Sequence, residues 1–195
     1  MKTDIVLAGV GGQGILSVAT ILGAASLKEG LNIKQAEVHG MSQRGGDVQS
    51  NLRISSERIA SDLIPTGKAD LIVSLEPMEA LRYLQYLSPD GWVVTSTAPF
   101  VNIPNYPDME VVEAELRNAG NVIAFDMEEM AKGIASPRSS NMVLLGAASP
   151  FIGISPDKIE AAIRSVFAAK GDAIVESNIK AFRAGREKAL DQCEK

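Results

Sequence analysis

Two glycine-rich stretches hold the residue types that could do chemistry in this chain. The first is Gly9-Val10-Gly11-Gly12-Gln13-Gly14, in which Gly9, Gly11 and Gly14 satisfy the spacing G-x-G-x-x-G. Glycines let the backbone turn sharply and let an anion approach it, and a following helix offers its unpaired N–H groups to the anion's oxygens. Gly12 removes one more side chain from that approach. The chemistry is recognition of a phosphate or pyrophosphate. The same glycines also suit a turn whose only purpose is close packing of helix on strand. The second stretch is His39-Gly40-Met41-Ser42-Gln43-Arg44-Gly45-Gly46. Gly40, Gly45 and Gly46 around Arg44 set a guanidinium among backbone that can come close, which suits a phosphate or a carboxylate. A turn with a solvated arginine fits those residues equally well.

Other polar residues weigh less. His39 is the one histidine, and its ordinary pKa near neutrality makes it a weak candidate for a catalytic acid or base. Glu37 ends the second expected strand, roughly 20 residues past the glycines, where a dinucleotide site holds a ribose hydroxyl. Strand-end carboxylates are often merely solvated. Glu76, Glu79, Asp126, Glu128 and Glu129 read as first-turn helix charges that complement the macrodipole. Ser139, Ser140 and Asn141 read as capping residues. One cysteine, Cys193, and one histidine cannot supply an internal disulfide, an iron–sulfur cluster, a cysteine-rich zinc site or a multi-histidine centre. No metal site is expected.

The elements that must position these loops follow from hydrophobic patterning. Residues 4–8 read as a buried strand, and 15–25 as a helix that ends at Gly30. Residues 33–38 read as a second strand. No helix fits between residues 38 and 47. The next strand, in which Val48, Ser50, Leu52 and Ile54 alternate with polar residues, must therefore pair antiparallel or lie at an edge. Further strands are expected at 70–75, 92–95 and 121–125. Helices are expected from Glu76 to about Leu87, over 127–134 with Asp126 as cap, and over 141–151, 157–169 and 173–190. Pro99, Pro104 and Pro107 make 98–108 a loop, and 111–116 is ambiguous. The fold class is a three-layer α/β/α, Rossmann-like sheet, mainly parallel with at least one antiparallel or edge strand.

Composition bounds the rest. The chain has 195 residues, 46% hydrophobic and 22% charged, which suits one globular domain over residues 1–195. Nineteen basic against 24 acidic residues give a net charge of −5, so neither nucleic acid nor an anionic membrane surface attracts the whole molecule. No signal peptide or spanning segment is read, and the expected location is the cytoplasm.

The two glycine motifs, in this order, together with Asn141-Met142-Val143-Leu144-Leu145-Gly146, resemble the gamma-type subunits of 2-oxoacid:ferredoxin oxidoreductases. Gly-Met-Ser-Gln-Arg-Gly-Gly is similar to the form found in the small, beta subunits of the indolepyruvate branch. The pyruvate-type pattern carries a glutamate near the position of Ser42. The resemblance covers essentially the whole chain. It implies a subunit of an enzyme that oxidatively decarboxylates an aryl 2-oxoacid with coenzyme A, giving an acyl-CoA and carbon dioxide, with electrons passing to ferredoxin. It further implies a large partner subunit carrying thiamine diphosphate and 4Fe–4S clusters. The residues agree, since no Gly-Asp-Gly start of a thiamine diphosphate site is evident. In that picture Gly9, Gly11, Gly12 and Gly14 hold the coenzyme A pyrophosphate. Gly40, Arg44, Gly45 and Gly46 meet a further anionic group, and Asn141 gives a supporting contact. Two other readings remain open: a free-standing NAD(P)- or flavin-binding redox protein, and an interaction module that only stabilises a partner.

Overall fold

The structure, a computed structural model, describes residues 1–39 and 45–194. Its frame is one six-stranded sheet in the order β2-β3-β1-β4-β5-β6. The strands are β1 (Lys2–Val10), β2 (Asn32–His39), β3 (Asp47–Ser55), β4 (Ala69–Ser74), β5 (Leu87–Ser96) and β6 (Asn121–Phe125). β1, β4, β5 and β6 pair parallel, while β3 is antiparallel to both β1 and β2. The short connection between β2 and β3 dictates that antiparallel pairing. β3 lies inside the sheet, however, and β2 is the edge strand.

Among the described residues the α-helices are α1 (Ile15–Lys28), α2 (Pro77–Arg82), α3 (Met109–Asn118), α4 (Met127–Ile134), α5 (Ser140–Ala148), α6 (Pro156–Phe167) and α7 (Asp172–Cys193). Alternate residues of each buried strand feed two cores. Ile5, Leu7, Leu71 and Val73 pack under α1, α4, α5, α6 and α7, while Val6, Ala8 and Ile72 pack under α2 and α3. The three expected layers are present. α5 is buried from Asn141 to Ala148, as the apolar run from Met142 onward requires.

The structure refines the expected elements. The helix expected from Glu76 to Leu87 stops at Arg82, a 3₁₀ turn follows at Leu84–Tyr86, and Leu87 already pairs with Ala69. Residues 111–116 belong to α3, because Val112 and Leu116, one turn apart, are both buried. The polar face of β3 is covered, not solvated: Asn51 Oδ1 accepts from Ile64 N at 3.4 Å, and Arg53 donates to the carbonyls of Ser61 and Leu63.

Candidate functional site

The carboxyl ends of β1 and β4 form the point where the sheet changes direction of winding. From β1 the chain runs outward through α1 on one face to β2 and β3, and from β4 it runs the other way through α2 on the opposite face. Crevices outside the carboxyl ends of strands at such a switch point are where α/β sheets hold ligands. The first glycine loop sits there. Gln13 stitches it, with its Oε1 accepting from Val10 N at 2.8 Å and its Nε2 donating across the switch to Leu75 O at 3.5 Å.

Each glycine of this loop has a distinct task. A side chain on Gly9 would collide with Ile15 and Gln13, so Gly9 permits the strand-to-helix turn. Gly11 joins the two glycine stretches: its N–H donates to Gly46 O at 2.8 Å, and its carbonyl accepts from Gly45 N at 3.4 Å. Gly12, with φ 105°, faces open space, with nothing within 4 Å of where a Cβ would stand. Gly14, with φ 80°, is the N-cap of α1. Its carbonyl accepts from Asn141 Nδ2 at 3.2 Å, and a Cβ on it would strike that same amide. Left-handed backbone at positions 12 and 14 is open only to glycine without strain. The N–H groups of Gly12 and Gly14 meet no acceptor among the described residues, and those of Ile15 and Leu16 open α1. Backbone donors, helix dipole and cleared space are together the chemistry that suits an anion.

The expected residues are partly brought together. Gly9, Gly11, Gly12, Gly14, Gly45, Gly46 and Asn141 converge here. Gly40 and Arg44 lie outside the described residues. The backbone of His39 pairs with Val48, whose other neighbour is Gly9, so it stands two strands from the first loop. Glu37 is likewise two strands away, opposite Ser50 and then Leu7, with Gln35 Nε2 donating to it at 3.2 Å. A dinucleotide fingerprint needs its acidic residue on the strand next to β1. Here β3 takes that place, which removes the geometric support for the NAD(P) or flavin reading.

A buried polar cluster beside the loops escaped the sequence reading. Glu76 is the N-cap of α2, accepting from Glu79 N at 2.8 Å. Its other oxygen accepts from Tyr106 Oη and from Phe100 N at 3.4 Å, anchoring the proline loop after β5. Asn102 Nδ2 of that loop donates to Gly45 O at 2.6 Å, so the loop straps the second glycine stretch. Burial pushes the Glu79 carboxyl up, against the pull of Arg82, and the Tyr106 phenol is raised by burial and by its bond to Glu76. Tyr83, raised to about 12 by burial and by Asp47, reaches Asp47 Oδ2 at 3.4 Å. The two phenols stay protonated near neutral pH, and the cluster acts as scaffolding. Their only sequence signal was Glu-Pro at a helix start.

The geometry defines an α/β subunit with a glycine loop at its sheet's switch point, and comparison with known proteins gives it a family. The family model for pyruvate ferredoxin/flavodoxin oxidoreductase matches residues 4–188, and the chain belongs to that family. It is 39% identical over 96% of its length to an indolepyruvate oxidoreductase subunit IorB of Pyrococcus horikoshii, and 38% identical, also over 96%, to that of Thermococcus kodakarensis. Each match covers 96% of the relative. The chain is thus similar to the small subunits of 2-oxoacid:ferredoxin oxidoreductases. Among solved structures it resembles 2-oxoglutarate:ferredoxin oxidoreductase of Magnetococcus marinus, determined with 2-oxoglutarate, coenzyme A and succinyl-CoA bound. That likeness has 26% identity and a TM-score of 0.77, and covers 97% of this chain and 31% of that one. It also resembles a keto/oxoacid ferredoxin oxidoreductase gamma subunit of Geobacter sulfurreducens, with 27% identity, a TM-score of 0.71, and coverage of 97% and 99%.

Proposed function

We propose that this chain is the small subunit of a complex that oxidatively decarboxylates an aryl 2-oxoacid of the indolepyruvate type. The oxoacid and coenzyme A give an acyl-CoA, carbon dioxide and a proton, and the released electron pair passes to ferredoxin. The observation that carries this reading is the anion cradle at Gly12, Gly14 and the α1 N-terminus, braced by the clasp between Gly11 and Gly45–Gly46. In this role the chain binds the pyrophosphate of coenzyme A through backbone N–H groups. Arg44 meets a further anionic group from the second loop, and Asn141 holds the Gly14 carbonyl. His39 is assigned no step.

The resident cofactors belong elsewhere. A 4Fe–4S cluster takes four thiolates, and this chain has one cysteine. Thiamine diphosphate, the electron sink of the decarboxylation, would likewise lie with the clusters on the large partner subunit, on which this chain docks. The named relatives, the indolepyruvate oxidoreductase subunits, support the aryl substrate, and the coenzyme A bound in the Magnetococcus structure supports the cosubstrate. A cytoplasmic location fits a chain whose single cysteine needs no oxidising compartment.

Gly12→Ala tests the cradle. The new methyl enters open space, so the fold bears only a backbone strain of about 1–3 kcal/mol. In the assembled complex the KM for coenzyme A should rise about tenfold or more, the loss of one charge-assisted contact, with the oxoacid KM unchanged. Gly30→Ala, at φ 70° with nothing near its Cβ, carries similar strain beyond the far end of α1 and should leave both constants alone. An unchanged coenzyme A KM in Gly12→Ala would refute the assignment.

A further inference from the structure

Three loops meet outside the carboxyl ends of β1, β4 and β5: the two glycine stretches and the proline loop. Their hydrogen bonds close a ring. Gln13 Nε2 of the first glycine loop donates to Leu75 O, just past the end of β4. The next residue, Glu76, accepts from Phe100 N and Tyr106 Oη of the proline loop. Between those two, Asn102 donates through Nδ2 to Gly45 O at 2.6 Å. Gly45 N donates to Gly11 O at 3.4 Å and Gly11 N to Gly46 O at 2.8 Å, which returns the ring to the first loop. Gly12 lies between Gly11 and Gln13, so its backbone is set from both sides.

The links differ in how firmly they are held. Glu76 is buried and caps α2, so it gives the proline loop a fixed root. Pro99 and Pro104 hold φ on either side of residues 100–103 and narrow the paths open to the loop. Asn102 stands at an exposed position, and the bond to Gly45 is the one its side chain makes among the described residues. Gly45 spends both backbone groups in the ring, its carbonyl on Asn102 and its N–H on Gly11. A bond that closes a ring of links already made orders little new chain, and it steadies its neighbours. Without the Asn102 donor the second glycine stretch loses its tie to the proline loop, and the Gly11 clasp loses its brace.

We propose that Asn102 is a positioning residue for the first glycine loop, acting through Gly45 on the backbone of Gly11 and Gly12. Its effect on a ligand of that loop rests on the coenzyme A reading above, whereas its effect on the loop itself does not.

The test follows hydrogen exchange and kinetics of the assembled complex in wild type, Asn102→Ala, Asn102→Asp and Asn102→Gln. All three changes fall at an exposed position, where substitutions cost the fold little. Asp matches Asn in size but sets a charged acceptor against the Gly45 carbonyl, and Gln keeps the donor on a longer arm. Without coenzyme A, deuterium uptake over residues 9–14 should quicken about threefold to tenfold in the Ala and Asp variants, the loss of one neutral hydrogen bond. The coenzyme A KM should rise by a similar factor while kcat and the oxoacid KM stay put, and Gln should restore part of both effects. A role in packing alone would spare the Asp variant. Unchanged exchange in Asn102→Ala would overturn the proposal, as would an Asp variant that matches wild type. So would a coenzyme A KM that rises in Gly12→Ala but not in Asn102→Ala. Faster exchange in Asn102→Ala, with the coenzyme A KM unchanged both there and in Gly12→Ala, would keep the positioning role and sink the coenzyme A reading.

Discussion

Asp4 shows how one residue can hold both sheet and loop. Its carboxylate is 1% exposed and takes Arg53 Nε and Nη2 at 2.8 and 2.9 Å, with Lys2 Nζ at 2.9 Å. The same guanidinium grips the 61–63 loop. Burial works to raise the Asp4 carboxyl, but the bonds from Arg53 and Lys2 outweigh it and hold the group below its usual 3.8. Asp4 therefore binds its proton less readily folded than unfolded. Its contribution to stability is full above about pH 4 and is lost as pH falls through the lowered folded value. Asp4→Asn should cost about 3 kcal/mol at pH 7, and the gap from wild type should narrow as pH falls below about 4 in denaturant titrations. Glu79, raised by burial, has the opposite sign: its contribution is greatest at low pH and falls as pH rises through its raised folded value. Comparing Asp4→Asn with wild type isolates the first effect.

At this scale, what could be read from sequence was what residue type alone reveals. Gly9 and Gly14 carry their backbone demands in the absence of a side chain, and Asp126 accepts from Glu129 N as a cap should. Glu76 was read as a helix-end charge, which is half its role. Its bonds to Phe100 and Tyr106 join segments that only the folded sheet brings together.

Among the elements, α5 and α7 make the closest approach. A Cβ on Gly146 would land against the Phe182 carbonyl, and one on Gly185 against that of Val143, both far inside contact distance. Neither helix can retreat, since α5 is wedged between α7 and the sheet. Gly146→Ala should therefore destabilise the chain by more than about 3 kcal/mol, a fall of roughly 10 °C in Tm. Gly133→Ala, on α4 with open space around it, should be neutral or stabilising by up to about 1 kcal/mol. A thermal melt of each checks the pair. The apolar run of α5 announced a buried helix, but nothing in it announced the partner face on α7. In the same way the gap between residues 38 and 47 announced antiparallel pairing for β3, while its place inside the sheet depends on which neighbour β1 accepts.

The whole molecule is built as a part. Its glycine loops meet at the sheet's switch point, and the proline loop beside them exposes Phe100, Val101 and Ile103. The family likeness was legible because two glycine motifs in order constrain far more than either alone. The cluster around Glu76 was not, because its bonds to Phe100 and Tyr106 join segments far apart in the sequence. The most direct test of the account is to purify the chain from its native cells under anaerobic conditions and assay coenzyme A-dependent dye reduction with indolepyruvate. The account predicts a brown complex with a large cysteine-rich partner, active with indolepyruvate and silent without coenzyme A. A colourless, partner-free protein that binds NAD or flavin would contradict it.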